Sequence, residues 1–153
     1  MSIASSIQEI KRQLPAHVQL VAVSKFNPIE ALKEAYDAGQ RLFGESQAQE
    51  MVPKAQQLPD DIKWHFIGHL QTNKVKDIID KVSLIQSVDS VKLAREISKQ
   101  AAKHNIIMDI LLEVNIGKEE SKWGFMPEDT LNAVKEIAGF SNIRICGLMT
   151  IPP

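Results

Sequence analysis

Apolar residues along this chain alternate between short continuous runs and longer stretches with a helical repeat. Ile7, Ile10 and Leu14 share one face of a helix over residues 5 to 14, which Pro15 stops. Leu20-Val21-Ala22-Val23-Ser24-Lys25 then reads as a short strand buried on both faces. Asn27 caps the next helix, Pro28 takes its first position, and Gly39 closes it. A second strand, Arg41 to Glu45, precedes a helix that Ser46 caps and that runs to Gln57, entered or kinked at Pro53. Pro59-Asp60-Asp61 turns the chain into a third strand, Trp64 to Gly68, and Thr72 or Asn73 opens a helix ending near Lys81. Val82 to Ser87 is a fourth strand, after which Asp89 or Ser90 caps a helix carrying Val91, Ala94, Ile97 and Ala101 on one face. A fifth strand spans Ile107 to Val114 and a polar loop Asn115 to Met126. Pro127 starts a helix that Gly139 ends, and Ile143 to Leu148 is the sixth strand.

Strands separated one by one by helix-length segments imply parallel pairing with crossover helices. An open doubly wound sheet and a (β/α)8 barrel both satisfy that pattern. No Gly-x-Gly-x-x-Gly or Gly-x4-Gly-Lys-Ser/Thr fingerprint follows any strand, which weakens the nucleotide-binding open sheet. Even spacing favours the barrel, with about six of its eight units in residues 1–153 as a single incomplete domain. Such a remnant leaves the first and sixth strands as unpaired edges, and self-association through them is expected.

Composition changes this picture little. A chain of 153 residues with formal net charge -1 and 24% charged residues suits one ordinary water-soluble domain, without a basic surface for nucleic acid. Apolar runs are too short for a membrane span and the N-terminus lacks signal-peptide regions, so a cytoplasmic protein is expected. The single cysteine, Cys146, lies in an apolar stretch and reads as a small core residue.

Candidate chemistry gathers just after the strands, where parallel sheets bind ligands. Lys25 ends the first strand. A lysine partly desolvated there offers more of the neutral amine that condenses with carbonyls, making it a candidate Schiff-base residue, against the alternative of a lysine reaching into water. Glu45 and Ser46 either begin a helix or touch a ligand, and the same choice holds for Asp89-Ser90. His69 is an acid, a ring-stacking neighbour or a satisfied rim histidine. No second histidine or carboxylate stands at zinc-ligand spacing. Glu113 points into the barrel or pairs with a base such as Arg144, and Lys118 to Lys122 is a solvated loop or a binding lid.

Six stretches carry a resemblance: Val21-Ala22-Val23-Ser24-Lys25, Phe43-Gly44-Glu45, Trp64 through Lys74, Ser87-Val88-Asp89-Ser90, Glu119-Glu120-Ser121-Lys122 and Gly147 through Pro152. Together they resemble the pyridoxal phosphate homeostasis protein family nearly end to end. The resemblance implies a single barrel of the alanine racemase N-terminal type, with pyridoxal 5'-phosphate (PLP) attached to Lys25 and Ser46, His69 and Met149 beside it. It implies buffering or delivery of PLP, with PLP-dependent apo-enzymes as partners, a monomeric full-length protein, and no established catalytic activity. Catalytic and metal residues are accordingly left unassigned. Ser46 stands where the family commonly has Asn close to the cofactor. Family members also continue beyond this point with segments that cradle the phosphate, so the expectation is a retained aldehyde-reactive lysine with reduced phosphate affinity. A PLP-dependent racemase or decarboxylase is the enzymatic alternative; it needs a second acid/base group, often tyrosine, and Tyr36 lies within a helix away from the rim. A barrel enzyme acting on phosphosugars would need rim carboxylates that the sequence does not reveal.

Overall fold

A computed structural model describes residues 1–120 and 122–153; Ser121, in the segment expected to be a loop, lies outside the described residues. Strands β1 (Ala22–Val23), β2 (Leu42–Glu45), β3 (Lys63–Phe66), β4 (Val82–Val88), β5 (Met108–Glu113) and β6 (Ile143–Met149) pair in parallel and in chain order. Between and before them run α1 (Ile3–Gln13), α2 (Ile29–Asp37), α3 (Ala48–Gln57), α4 (Val75–Ile78), α5 (Val91–Lys103) and α6 (Pro127–Ile137). A doubly wound sheet reverses its strand order at a switch point, and this sheet does not. Six successive β/α units of a barrel wall are therefore what the alternation encodes.

Side chains cap two of the helix starts. Ser2 and Ser5 form a reciprocal capping box at α1, and the Ser90 hydroxyl accepts the Leu93 amide at 3.0 Å to start α5. Two expected caps are not formed. Pro28 itself is the capping position of α2, while the Asn27 side chain donates to the Lys25 carbonyl at 3.1 Å. Gln47, not Ser46, precedes α3, because Ser46 is still part of the turn leaving β2. The segment after β3 opens as a 3-10 turn, Thr72–Lys74, before the single turn of α4.

The core lies between the helices and the sheet face turned toward them. Phe43, Trp64, Phe66, Ile85, Ile110 and Leu112 from strands meet Met51, Ile78, Ile97 and Ile137 from helices. Alternation sends the intervening strand residues to the other, barrel-interior face, where Val23, Gly44 and His65 are in register. That face is open at both edges of the sheet. Val23 is 54% exposed, so β1 is not buried on both faces as expected, and Cys146 on the other edge strand is exposed instead of buried in the core. Ile10 is likewise 44% exposed although Ile7 on its helix face is buried. Among the described residues, no helix is long and apolar enough to cross a membrane.

Candidate functional site

Parallel pairing delivers every strand's exit to one end of the wall, so Lys25, Ser46, His69, Asp89 and Met149 all stand there. Lys25 occupies the turn after β1 and is exposed. The expected partial desolvation is not present, and β1 is an edge of the sheet among the described residues. No hydrogen-bond or ion-pair partner of Lys25 Nζ occurs among the described residues.

Beneath this turn lies a polar cluster on the helix-facing side of the sheet. Glu45, fully buried, belongs to β2 and starts no helix, which corrects one of its two expected roles. Lys54, from α3 and also buried, donates through Nζ to Glu45 Oε2 at 2.9 Å, Glu50 Oε2 at 2.7 Å and the Ser24 carbonyl at 2.9 Å. The Ser24 hydroxyl donates to the same Glu45 oxygen, and the Phe26 amide donates to Glu50 Oε2 at 2.6 Å. Burial pushes the Glu50 carboxyl up, but hydrogen bonds from Lys54 and Phe26 with the ammonium's charge outweigh it and hold the group below its ordinary value. Sequence reading missed Lys54 and Glu50 as parts of the site. The only signal was their i, i+4 spacing, which usually marks a solvated helix face.

Across the rim, Gly68 packs against Ser46 so closely that a Cβ would sit 2.6 Å from Ser46 Cβ and 2.7 Å from its carbonyl oxygen. Glycine there lets the exits of β2 and β3 touch, and Ser46 and His69 line one cavity of about 180 Å³ with Gln47, Gln71 and Lys74. His69 Nδ1 lies 2.9 Å from Asp89 Oδ2, and the imidazole stacks on Trp123 with ring centroids 3.7 Å apart and planes 7° from parallel. His69 thus shows the satisfied rim histidine among its expected roles, and the ring it stacks on is that of Trp123. Asp89 is its partner, and Ser90 alone does the capping. Trp123 carries no periodic signal in the sequence, being in a loop.

Glu113 does not pair with Arg144, whose guanidinium instead meets both carboxylate oxygens of Asp109, at 2.8 and 3.0 Å. Burial, reinforced by the Asp89 charge and opposed by His69, raises the Glu113 carboxyl above its ordinary range. Met149 is half-buried in register with Glu113. Glu113 also lines a second rim cavity, of about 160 Å³, with Asn115, Trp123 and Ile151; Lys25 lines neither cavity. At the mouth, then, an unengaged primary amine stands on the same rim as a fixed imidazole, a hydroxyl and a protonation-prone carboxyl. Among the described residues, no cluster of three or more His, Cys, Asp or Glu side chains could hold a metal ion.

Residues 1–153 match the family of the alanine racemase N-terminal domain. The chain is 46% identical over 136 residues to the pyridoxal phosphate homeostasis protein of Aquifex aeolicus, covering 88% of this chain and 60% of that protein. It is 38% identical over 151 residues to the protein of that name from Synechocystis sp., covering 97% of this chain and 69% of the relative. Two structures of PipY from Synechococcus elongatus PCC7942 superpose on it. The one without PLP gives a TM-score of 0.93 at 37% identity, covering 99% of this chain and 72% of PipY. The one with PLP bound gives 0.89 at 36%, with coverage of 99% and 71%.

Proposed function

Because this chain belongs to the alanine racemase N-terminal domain family and, within it, to the pyridoxal phosphate homeostasis proteins, we propose that it holds PLP on Lys25 for buffering or delivery to PLP-dependent apo-enzymes. The observation that carries this reading is the unengaged Lys25 amine at the mouth of the barrel wall, in a relative of a protein whose structure has PLP bound. PLP supplies an aldehyde carbon with which a primary amine condenses, forming a C=N bond and releasing one water. The residues present fit that aldehyde and its ring. In this reading Lys25, left reachable from solvent by its exposure, meets the aldehyde, and Ser46, His69 held by Asp89 and Trp123, and Met149 are the neighbours assigned to the ring. The reading includes a cytoplasmic location, and it includes no dedicated catalytic group, for which the support is that relatives are named for homeostasis and not for a reaction.

A racemase or decarboxylase needs a further acid/base group at the ring. The chain's one tyrosine, Tyr36, donates its hydroxyl to Asp61 Oδ1 at 2.5 Å, at the opposite end of the strands. The decisive experiment is reduction of the PLP-treated protein with borohydride followed by peptide mapping. The pyridoxyl mass is expected on the peptide carrying Lys25, and its appearance elsewhere would overturn the assignment. Prolonged incubation of the PLP-loaded protein with amino acids is expected to leave them unchanged; racemised or decarboxylated product would replace the carrier reading by the enzymatic one.

Self-association belongs to the same proposal. Among the described residues β1 and β6 each have an unpaired edge, and Leu148 on β6 is 60% exposed. Sedimentation of the 153-residue chain is expected to show concentration-dependent dimers; a monomer at all concentrations would remove this part of the reading.

A further inference from the structure

Lys25 is flanked by two residues whose backbones are held by the same helix. On one side, the Ser24 carbonyl accepts Lys54 Nζ at 2.9 Å and the Ser24 amide donates to the Gly44 carbonyl at 2.9 Å. On the other side, Phe26 has φ 64°, a left-handed conformation that costs a non-glycine residue energy; it is the third residue of a β-turn closed by the Asn27 amide on the Ser24 carbonyl, a position that calls for positive φ. Packing adds nothing to hold it, because Phe26 is 76% exposed. Its amide, however, donates to Glu50 Oε2 at 2.6 Å, and that oxygen is held in place by Lys54 Nζ at 2.7 Å. The turn keeps two further hydrogen bonds, from the Asn27 amide to the Ser24 carbonyl and from the Asn27 side chain to the Lys25 carbonyl. The first closes the turn, and Glu50 adds the restraint that the turn itself lacks, an acceptor for the Phe26 amide.

We propose that Glu50, oriented by Lys54, is a positioning residue that clamps Phe26 in its left-handed conformation and thereby sets the direction in which Lys25 presents its amine to an aldehyde. This rests on the reading of Lys25 given above and extends it to α3, a helix that reaches the site only through backbone. Pre-setting the turn removes an ordering cost that would otherwise be met when the ligand binds. The clamp acts through main chain, so it needs no contact between Glu50 and the ligand.

The test uses Glu50→Ala, which removes the acceptor, and Glu50→Gln, which keeps one. Lys54 retains Glu45 and the Ser24 carbonyl in both, so folding survives. Amide hydrogen exchange at Phe26 is expected to accelerate about tenfold or more in Glu50→Ala, the loss expected for a hydrogen bond to a charged group, and by about threefold at most in Glu50→Gln. PLP affinity is expected to fall about tenfold in Glu50→Ala and to be largely restored in Glu50→Gln. In a Lys25→Ala background, adding Glu50→Ala is expected to change residual PLP binding by nothing further, since the effect runs through Lys25. Unchanged Phe26 exchange in Glu50→Ala, or faster exchange with undiminished PLP affinity, would overturn the positioning role. Equal PLP binding by wild type and Lys25→Ala is a separate result, and it would overturn the assignment of Lys25 and with it the role of Glu50.

Discussion

Lys25→Ala is expected to abolish the absorbance band near the visible edge that a lysine-linked PLP gives, while leaving the melting temperature of the protein unchanged. Both halves come from the position of the residue. The amine is the only group of Lys25 that can condense with the aldehyde, and alanine has none. The exposed side chain makes no hydrogen bond or ion pair among the described residues, so its removal breaks no contact that holds the fold. Lys25→Arg sharpens the experiment, because a guanidinium keeps the charge yet stays protonated and does not condense. It too should lose the band, although it can still attract the phosphate. Titrating each variant with PLP and following absorbance and thermal unfolding in parallel checks the prediction. A band of wild-type intensity in Lys25→Ala would transfer the chemistry to another lysine, and a collapsed melting transition would show that the turn is structural.

How legible this site was in the sequence depended on the distance over which its parts communicate. Strand exits were readable, because apolar runs end abruptly at Lys25, Glu45 and Gly68 and the alternation with helices places those ends together. The barrel reading was favoured by spacing and is borne out by the strand order and the family match. Burial was less legible. Val23 and Cys146 are apolar in pattern yet exposed, since whether a strand face is covered depends on neighbours that no local window contains. Caps were readable where a hydroxyl directly preceded a helix, as at Ser90, and misplaced where a turn intervened, as at Asn27 and Ser46. Least legible was the cluster under Lys25. Lys54 reads as one more polar residue of an amphipathic helix, and only the pairing of β1 with β2 and the seating of α3 over them turn it inward. Trp123 on His69 is similarly a contact between a loop and a strand exit with no sequence signature.

That buried cluster carries the largest stability effect expected in the chain. Lys54→Met should destabilise the protein by about 3–5 kcal/mol, the range for removing one partner of a buried ion pair, against a total of about 5–15 kcal/mol for an ordinary domain. Methionine is close in volume and fills the stem's space, so the cost is electrical, not a cavity. Glu45 is the reason. It is fully buried, its Oε1 has no hydrogen-bond partner among the described residues, and Lys54 is the cation that compensates it. Without the ammonium, the Ser24 hydroxyl remains as its one donor on Oε2 and the Ser24 carbonyl loses its bond to Nζ. Glu50, only partly buried, can turn toward water and adds less to the cost. Neutralising the stranded acid should therefore recover stability. Glu45→Gln combined with Lys54→Met should be more stable than Lys54→Met alone, because an amide tolerates burial that a carboxylate does not. Urea unfolding of the four proteins in this cycle measures the effect directly. If Lys54→Met costs less than about 1 kcal/mol, the pair is behaving as a solvated surface bridge and the cluster is not buried as described. If the double substitution is no better than the single, the loss arises from the Ser24 bond and not from an uncompensated Glu45. The two substitutions in α3 thus separate what its side chains do: Lys54→Met loosens the layer beneath the turn, whereas Glu50→Ala leaves that layer in place and frees only the turn that bears Lys25.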